Sequence, residues 1–582
     1  MSTIPLLLAV LVATAAAVTD ASIVRCDAVE AAFRAAAEND SEPCSCFDDD
    51  EAQGVGLECA ASSLPTIFAT LRVLNETSVS KIRIRDSLLN ILPADIFTNL
   101  KPRSLSIERC SLSVLREESI NVVGSRLRKL SLRNNRLKNL EKYMFQGLTR
   151  LQKLDVSGNK LTSIAANTFE DCKDLTEIVL NNNEIAVIEP GTFANLTSLK
   201  TLSLIGNKIT SISKDTFAGL ESLEVLQLQG NEIVSIDWAA FAGMSRLKTL
   251  NLGTNHIANV ELRGLDNLQK LFLNNNSINS LKSVSLRDLP ALSILSFDRN
   301  QITSIGDVDL FGLSRSTRLE SIALASNNIS HISPRAFQSV QNLQSLSLQN
   351  NHITDLSTNG TAYLMPLKKL TTLQLSANQL VTIRADELPK SVVTLAADHN
   401  QIAHIDGRAF EGISLKRLYL NNNKLKFLNQ HTFDSFAPET IDAIDVSSNN
   451  WQCVCGKEWL PGWLEKAGDS DVADGYLGCL AIWKCAVDST AQGDELKEDE
   501  SRSVWVTAIA ATLALVSLLI LVAIAVLYIK DGYQRPTIIR PLHRRIDSDL
   551  HKLIDNDPLI QTDVEPSRKT PAGDKKKVRF ET

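Results

Sequence analysis

The eight histidines and the acidic runs are the groups in this sequence that could bind a metal ion or transfer protons. His256 and His352 lie four turns apart, the other histidines are scattered along the chain, and together they indicate no metal site. The acidic stretches at 48–51 and 494–500 favour solvated surface over calcium binding. The sequence contains no glycine-rich phosphate loop, no H-E-x-x-H motif and no nucleophile elbow. We therefore expect no catalytic, cofactor-binding or metal site, and a protein that is not an enzyme.

The charge balance excludes two further classes of protein. The formal net charge is −7 and 22% of the residues are charged. A nucleic-acid-binding surface would need an excess of basic residues, and a disordered acidic chain would need far more charge. Nucleic acid is therefore not an expected partner.

The elements that must position any functional residue are short repeats. From residue 82 onward the pattern L-x-x-L-x-L-x-x-N-x-L recurs with a period of 24, as in LQKLDVSGNKL (151–161). Two weaker units carry Ser87 and Cys110 at the Asn position, and Asn449 opens the last unit. About sixteen turns are present, of which about fifteen repeats fall within 66–448. The remaining Asn positions are Asn135, Asn159, Asn183, Asn207, Asn231, Asn255, Asn276, Asn300, Asn327, Asn351, Asn378, Asn400 and Asn423.

The repeat has a direct physical interpretation. Alternate residues of L-x-L point to one side of a short strand, so every turn contributes leucines to a shared interior. A single turn cannot bury its apolar face, whereas stacked turns can, which predicts a solenoid. The repeated Asn predicts a hydrogen-bonding ladder where the chain leaves each strand, and phenylalanines as in TFANL (192–196) predict a second stack on the opposite side.

This Leu/Asn/Phe pattern resembles the extracellular leucine-rich-repeat superfamily, which includes Slit, chaoptin, Toll-like receptors and nematode epithelial matrix proteins. The resemblance implies an α/β-type solenoid: a right-handed horseshoe with a parallel concave β-sheet and disulfide caps. It also implies an ectodomain whose concave face binds protein or matrix ligands.

Ten cysteines indicate an oxidising compartment, and four of them resemble the N-terminal cap of that superfamily. The cap is expected over 26–65. The resemblance implies the disulfides Cys26–Cys46 and Cys44–Cys59, although 17 residues separate the first two cysteines, more than is usual in the family.

A second cap is expected over 449–485, where NNWQCVCGKEWLPGW resembles the C-terminal motif with Asn450 in place of the usual Pro. The resemblance implies the disulfides Cys453–Cys479 and Cys455–Cys485. The two remaining cysteines, Cys110 and Cys172, lie about two turns apart on different sides of the expected solenoid. They are therefore predicted to be buried free thiols rather than redox or metal groups.

Two apolar segments predict export and anchoring. The run within 1–17 is too short to span a bilayer and indicates a signal peptide, with a core helix or membrane anchor as the alternative. The run within 506–529 holds 23 uncharged residues, enough for a transmembrane helix. Basic residues follow it, so the positive-inside rule predicts a single-pass type I plasma-membrane protein with an extracellular ectodomain, an acidic stalk at 486–505 and a disordered cytoplasmic tail at 530–582.

Several residues are candidate sites on the ectodomain. Six N-x-[ST] sequons predict glycosylation at Asn39, Asn75, Asn195, Asn275, Asn328 and Asn359. Basic residues at outward strand positions in the first turns suggest a site for a sulfated glycan or acidic protein, with an ordinary solvated strand face as the alternative. Two aromatic residues at such positions suggest a buried contact with a partner. The proposed contacts are Lys129, Arg133, Lys153, Phe272 and Tyr419.

The tail contains two segments that resemble the acidic dileucine signal D-x-x-x-L-[LI], which clathrin adaptors recognise. They predict cycling through endosomes, against the alternative of a short amphipathic segment. The residues concerned are Asp549, Leu553 and Ile554, and then Asp555, Leu559 and Ile560.

The last residues contain Lys577, Val578 and Phe580, which resemble the [RK]-V-x-F docking motif for protein phosphatase type 1. Attraction of the same lysines to anionic lipid is the alternative.

The whole sequence predicts a cell-surface scaffold for adhesion or extracellular-matrix organisation. The alternative is a ligand-sensing receptor that signals through a co-receptor or adaptor, because the tail is too short for a signalling enzyme domain.

Overall fold

The computed structural model describes residues 26–27, 29–30, 44–49, 54–74, 79–98, 100–452 and 459–467. The chain divides into two units, Met1–Cys485 and Ala486–Thr582, and every described residue lies in the first. In the described part of the chain no helix has the length and apolar character needed to cross a membrane. The predicted signal peptide, transmembrane helix, stalk and tail all lie outside the described residues, as do the four cysteines of the C-terminal cap.

One sheet of 18 strands organises this unit. Its first two strands pair antiparallel, and every later strand pairs parallel to its neighbours, with Leu154, Ile178 and Leu202 in register as an example. The two cap strands are followed by sixteen repeat strands, the number of turns that the sequence predicts. In chain order the strands are Cys44–Asp49, Gly54–Ala60, Val79–Arg85, Ser104–Glu108, Lys129–Ser131, Lys153–Asp155, Glu177–Val179, Thr201–Ser203, Val225–Gln227, Thr249–Asn251, Lys270–Phe272, Ile294–Ser296, Ser321–Ala323, Ser345–Ser347, Thr372–Gln374, Thr394–Ala396, Arg417–Tyr419 and Ala443–Asp445.

The ladder asparagines hold successive turns together, as Asn183 illustrates. Its Oδ1 accepts a hydrogen bond of 3.1 Å from the backbone N–H of Leu161 in the preceding turn. Its Nδ2 donates to the carbonyl oxygen of Val156 at 3.1 Å and to that of Leu180 at 3.0 Å. Because a buried amide without partners would be costly, this full pairing explains why the turns from Asn135 onward carry Asn.

The first two turns continue the ladder with other side chains. The hydroxyl of Ser87 accepts from the backbone N–H of Ser62 at 3.1 Å and donates to the carbonyl of Arg85 at 2.9 Å. The thiol of Cys110 donates to the carbonyl of Glu108 at 3.1 Å. Each group therefore supplies part of what an Asn amide supplies elsewhere.

The side of the repeats opposite the sheet is built from turns, 3-10 helices and two- to four-residue strands. The predicted solenoid of stacked parallel strands is confirmed; its described α-helix Leu64–Val73 precedes the first repeat strand, and no α-helix occurs among the described residues from Val79 to Asp445. The segments on this side are short, and in one of them Leu196 N–H donates to the Phe193 carbonyl at 3.0 Å, the i to i+3 bond of a tight 3-10 turn. The 3-10 helices are Asn121–Arg126, Lys142–Phe145, Trp238–Phe241, Leu281–Ser283, Phe311–Arg315 and Pro438–Thr440.

The short strands on this side form seven pairs. Six pairs are parallel, and the one formed by Ser357–Thr358 and Thr361–Ala362 is antiparallel. The parallel pairs are Ile91–Leu92 with Val114–Leu115, Ser163–Ile164 with Val187–Ile188, Ser211–Ile212 with Ser235–Ile236, Val260–Arg263 with Val284–Arg287, Ser304–Ile305 with His331–Ile332, and Thr382–Ile383 with His404–Ile405.

The predicted phenylalanine stack is present on this side. The rings of Phe169 and Phe193 lie 6.4 Å apart, as do those of Phe193 and Phe217, and Phe217 lies 6.1 Å from Phe241. All four are buried. Together with the strand leucines they give the unit one continuous apolar core.

Separate elements close the two ends of the array. At the N-terminal end the structure contains the disulfides Cys26–Cys46 and Cys44–Cys59, which confirms the pairing that the resemblance implies. The α-helix Leu64–Val73 follows, capped by the hydroxyl of Ser63. At the other end the α-helix Trp459–Lys466 packs Trp459 and Trp463 against the ring of Phe433 at 5.5 Å and 5.0 Å, so the last turn has an apolar cover.

Candidate binding surface

The face of the main sheet that points away from the leucine core, the strand face, is a regular surface that every repeat extends by one strand. In nine consecutive strands, from Thr201–Ser203 to Thr394–Ala396, the first and third residues point to this face. We call these residues the neutral strip, because Lys270 is the one charged side chain among them. The other members are Thr201, Ser203, Val225, Gln227, Thr249, Asn251, Phe272, Ile294, Ser296, Ser321, Ala323, Ser345, Ser347, Thr372, Gln374, Thr394 and Ala396.

The third residue of each of these strands is buried although it points away from the core. Parallel strands place identical positions about 4.8 Å apart, so side chains in one column cover one another. Phe272 is the strongest case, since it lies in register between Asn251 and Ser296 and is 2% exposed. The prediction that Phe272 offers an exposed aromatic contact is therefore wrong. Tyr419, the other predicted aromatic contact, is half-buried.

Side-chain hydrogen bonds connect the buried third residues of the neutral strip to neighbouring polar side chains. The hydroxyl of Ser203 lies 2.7 Å from Asn181 Oδ1 and 2.8 Å from Gln227 Oε1. Further along, the hydroxyl of Ser376 and the imidazole of His399 both contact the buried carboxylate of Asp398, at 2.5 Å and 2.8 Å. Such networks fix side-chain positions before any partner arrives.

Two neighbouring polar atoms among these buried third residues lack a hydrogen-bond partner. Ser347 and Gln374 are register partners, and they are 1% and 2% exposed. Ser347 Oγ and Gln374 Oε1 are buried and make no hydrogen bond with the described residues. Leaving such a group unpaired costs about 1–3 kcal/mol. Because both atoms are buried, the groups of the strip that a ligand can reach are the half-buried first residues of the same strands, such as Ser321, Ser345 and Thr372.

The basic residues predicted as contacts lie on the same face, nearer the N-terminal cap, and acidic neighbours compensate most of them. Arg133 lies 3.4 Å from Asp155, and Lys153 pairs with Glu177. Within the described chain Lys129 has no ion pair with an acidic residue. The array thus places the predicted basic residues on one face, but two of the three lie beside a carboxylate of the next turn.

Further cap-proximal arginines show the same compensation. Arg85 pairs with Glu58, and Arg83 lies 3.8 Å from the same carboxylate. Asp86 accepts a hydrogen bond of 2.7 Å from Arg109, which lowers the pKa of that carboxyl to about 2. An ordinary ion-paired strand face accounts for these residues without a sulfated glycan.

The four described sequons lie on exposed asparagines outside the strands of the main sheet. Asn195 follows the stacked Phe193, and Asn359 lies at the tip of the antiparallel hairpin, where it and Gly360 have positive φ values of 52° and 76°. Asn275 and Asn328 lie beside ladder positions. Asn39 and Asn75 are outside the described residues. Glycans on the four sites would therefore leave the residues of the neutral strip unmodified.

The two unpaired cysteines are buried free thiols, as predicted. Burial raises the pKa of Cys172 to about 12 and also raises that of Cys110, because a thiolate is poorly solvated there. Among the described residues no group of three or more His, Cys, Asp or Glu side chains could bind a metal ion.

With this geometry in place, comparison with known proteins defines the class. The leucine-rich-repeat family model matches this chain over 125–185, 173–233, 223–278, 266–320, 317–380 and 390–450, which is more than half of its length. The chain therefore belongs to the leucine-rich-repeat family, whose fold serves as a scaffold for protein interaction and is typically non-enzymatic.

A curated relative and two solved structures are similar to this chain. P-granule-associated novel protein 1 of Caenorhabditis elegans is 51% identical over 231 residues, which cover 38% of each chain. A leucine-rich-repeat protein of Leptospira interrogans has a TM-score of 0.54 at 24% identity, covering 70% of this chain and 98% of its own. The glycosylated Toll–Spatzle complex of Drosophila has a TM-score of 0.53 at 18% identity, covering 73% of this chain and 71% of the matched chain. At these identities the solved structures show the fold alone.

Proposed function

We propose that this protein is a single-pass cell-surface scaffold that binds an extracellular protein or matrix ligand on the strand face of its repeats, in cell adhesion or matrix organisation. The observation that carries the proposal is the neutral strip, whose half-buried first residues Ser321, Ser345 and Thr372 present hydroxyl groups. A long surface of hydroxyl and amide groups with one charged side chain suits recognition by shape and hydrogen bonding. It does not suit attraction of a strongly charged ligand.

Three features support a location outside the cell. The cap disulfides Cys26–Cys46 and Cys44–Cys59 are typical of an oxidising compartment. The four described sequons are exposed, and the sequence supplies a signal-like segment and a membrane-spanning segment. The horseshoe curvature of the family would make the strand face concave, which suits enclosure of a partner.

Introducing an N-linked glycan on the strand face tests the proposed surface. Ser345→Asn creates an Asn-Leu-Ser sequon at 345–347, on a half-buried position of the neutral strip. A glycan there would block approach to Ser321 and Thr372, the half-buried neighbours of Ser345 in the adjacent strands. We expect cells that display this variant to bind a matrix preparation at least about tenfold more weakly than cells that display the wild type.

The matched control is Lys214→Asn, which creates an Asn-Asp-Thr sequon at 214–216 on the exposed side opposite the sheet. This variant should reach the surface and bind as the wild type does. Mass spectrometry must show that both new sites carry glycan. If the Ser345→Asn variant binds matrix as well as the control, the strand face is not the ligand surface.

The receptor alternative differs in what the tail must do. A receptor of this type needs a cytoplasmic adaptor or co-receptor, whereas an adhesion scaffold functions through its ectodomain. Replacing residues 530–582 with an unrelated spacer should leave matrix binding unchanged in either case. Loss of a ligand-dependent cellular response in that variant would favour the receptor.

A further inference from the structure

One repeat carries an apolar ridge on the side opposite the main sheet. The turn from Asn300 to Asn327 spans 27 residues instead of 24, and its additional residues contribute to a tight turn followed by the 3-10 helix Phe311–Arg315. Val308 and Phe311 are 74% and 66% exposed. In most other turns the phenylalanine of this region is buried, so this exposure is specific to one repeat.

The local geometry makes the ridge a single surface. Phe311 N–H donates to the Val308 carbonyl at 3.0 Å, and Leu313 N–H donates to the Leu310 carbonyl at 3.0 Å. Residues three apart in such a turn lie on the same side. Leu310 and Leu313 therefore face the core together and fill it, while Val308 and Phe311 face outward together.

The ridge is held firmly against the preceding turn. A side chain at Gly312 would bring its Cβ to 2.2 Å from the backbone carbonyl of Leu286, so the helix approaches the strand Val284–Arg287 as closely as glycine allows. Arg315 adds an ion pair with Asp288 at 2.7 Å. The two apolar side chains are thus presented on a supported element.

A cavity lies on each side of the ridge. One, of about 530 Å³, is lined by the ridge and the preceding turn and extends to the ring of Phe297, which is 1% exposed. The other, of about 690 Å³, lies between the ridge and the following turn, where Arg335 and Gln338 line it. An exposed aromatic residue between two cavities has the form of a protein-binding hot spot.

The charges around the cavities favour an anionic partner. The carboxylates of Asp307 and Asp309 already accept hydrogen bonds from the backbone N–H groups of Arg335 and Gly306, and Asp288 is paired with Arg315. In contrast, the described chain offers no carboxylate within 4.0 Å of the basic groups of Lys282, Arg287 or Arg335. Hydrogen bonds from neutral N–H groups leave Asp307 and Asp309 charged, so the charged residues that line the two cavities sum to a formal charge of +1. They are Lys282, Arg287, Arg315 and Arg335 against Asp288, Asp307 and Asp309.

We propose that this ridge and its two cavities, the ridge site, bind an acidic segment of another protein whose apolar side chains enter the cavities beside Phe311. Carboxylates of that segment pair with Lys282, Arg287 and Arg335. The ridge site lies on the opposite side of the repeats from the neutral strip, so its occupant and a ligand on the strand face can bind simultaneously.

The test uses the full chain, purified in mild detergent and immobilised, with a phage-displayed library of random 12-residue peptides as the probe. We expect enrichment of peptides that combine Asp or Glu with large apolar residues. Their affinity should fall at least about tenfold for the double variant Val308→Ser/Phe311→Ser, and comparably for Lys282→Glu/Arg287→Glu. Binding should also weaken as salt increases.

The matched control is Val187→Ser/Val381→Ser, which removes two exposed valines at 56% and 47% exposure that do not line these cavities. It should bind the enriched peptides as the wild type does, and all variants should retain the wild-type unfolding midpoint. The proposal is overturned if no peptide is enriched, if enriched peptides lack acidic residues, or if they bind the ridge variant unchanged. Self-association of the wild type that the ridge substitutions abolish would also overturn it, because the occupant would then be a second copy.

Discussion

Asn135 Oδ1 accepts a hydrogen bond of 3.0 Å from the backbone N–H of Cys110, and so continues the ladder into a turn that has no asparagine of its own. Cys110 in turn donates from its thiol to the Glu108 carbonyl at 3.1 Å and approaches the Ile84 carbonyl at 3.7 Å. A thiol is a weak donor compared with an amide. The ladder is therefore weakest beside the N-terminal cap.

This weakness predicts opposite effects of two substitutions at Cys110. Cys110→Asn supplies two amide donors in place of one thiol and should raise the free energy of unfolding by about 0.5–1 kcal/mol. Cys110→Ala leaves the neighbouring carbonyls without a donor and should lower it by about 1–2 kcal/mol. Denaturant midpoints of the two variants measure the difference. The ladder account fails if the Asn variant is as unstable as the Ala variant.

Two glycines at equivalent places in the repeat provide a second prediction. Gly147 and Gly219 both have positive φ, at 76° and 93°. A Cβ at Gly147 would meet nothing within 4 Å, whereas one at Gly219 would lie 2.4 Å from the backbone carbonyl oxygen of Ala194. Gly147→Ala should cost about 1–2 kcal/mol for the left-handed conformation alone. Gly219→Ala should cost about 1–3 kcal/mol more because the backbone must shift. Equal unfolding midpoints for the two variants would contradict this.

The sequence predicts the repeat architecture well because each repeat depends on local periodicity. Leucine alternation places Leu154, Ile178 and Leu202 in one register, and the Asn spacing identifies the ladder turn by turn. The N-terminal disulfide pairs follow from family resemblance. The Phe-x-x-Leu spacing fits an α-helix and a 3-10 turn equally, so the sequence does not predict which of the two the repeats contain.

The surface is harder to predict because it depends on contacts between turns. The burial of Phe272 results from Asn251 and Ser296 in adjacent strands, which a single repeat does not show. The pairing of Lys153 with Glu177 likewise joins residues 24 positions apart. The exposure of Phe311 had one available signal, the 27-residue interval before Asn327, but interval length alone does not indicate which inserted side chains face outward.

The phenylalanine stack predicts a large contrast between two aromatic truncations. Phe193 is fully buried between Phe169 and Phe217, so Phe193→Ala should lower the free energy of unfolding by about 3–5 kcal/mol. Phe311 is 66% exposed, so Phe311→Ala should change it by less than about 1 kcal/mol. Chemical denaturation monitored by circular dichroism measures both. A large loss for Phe311→Ala would indicate a structural role for the ridge.

The buried thiols predict a reactivity pattern. Because burial raises the pKa of Cys172 to about 12, this thiol remains protonated in the folded protein at pH 8. Iodoacetamide should therefore label neither Cys172 nor Cys110 in the folded chain, and both in guanidinium chloride. Peptide mass spectrometry reads out each site. Because the thiol pKa is higher in the folded state, the unfolded state loses this proton above about pH 9 while the folded state retains it. The contribution of Cys172 to the free energy of unfolding should therefore decrease as the pH rises from about 9 toward 12.

The Asp86–Arg109 pair predicts the opposite pH dependence at the acidic end. The hydrogen bond from Arg109 keeps the pKa of Asp86 at about 2, below the ordinary value of 3.8. Between these values the unfolded state binds a proton that the folded state does not, so the contribution of the pair is present above about pH 4 and is lost as pH falls toward 2. Asp86→Asn should therefore lower the thermal unfolding midpoint at pH 6, and its difference from the wild type should disappear near pH 2.

Glu411→Gln, at an exposed glutamate without an ion pair in the described chain, should match the wild type across the range. If Asp86→Asn and the wild type unfold at the same temperature at pH 6 in low salt, the pair contributes nothing measurable to holding the first two turns together.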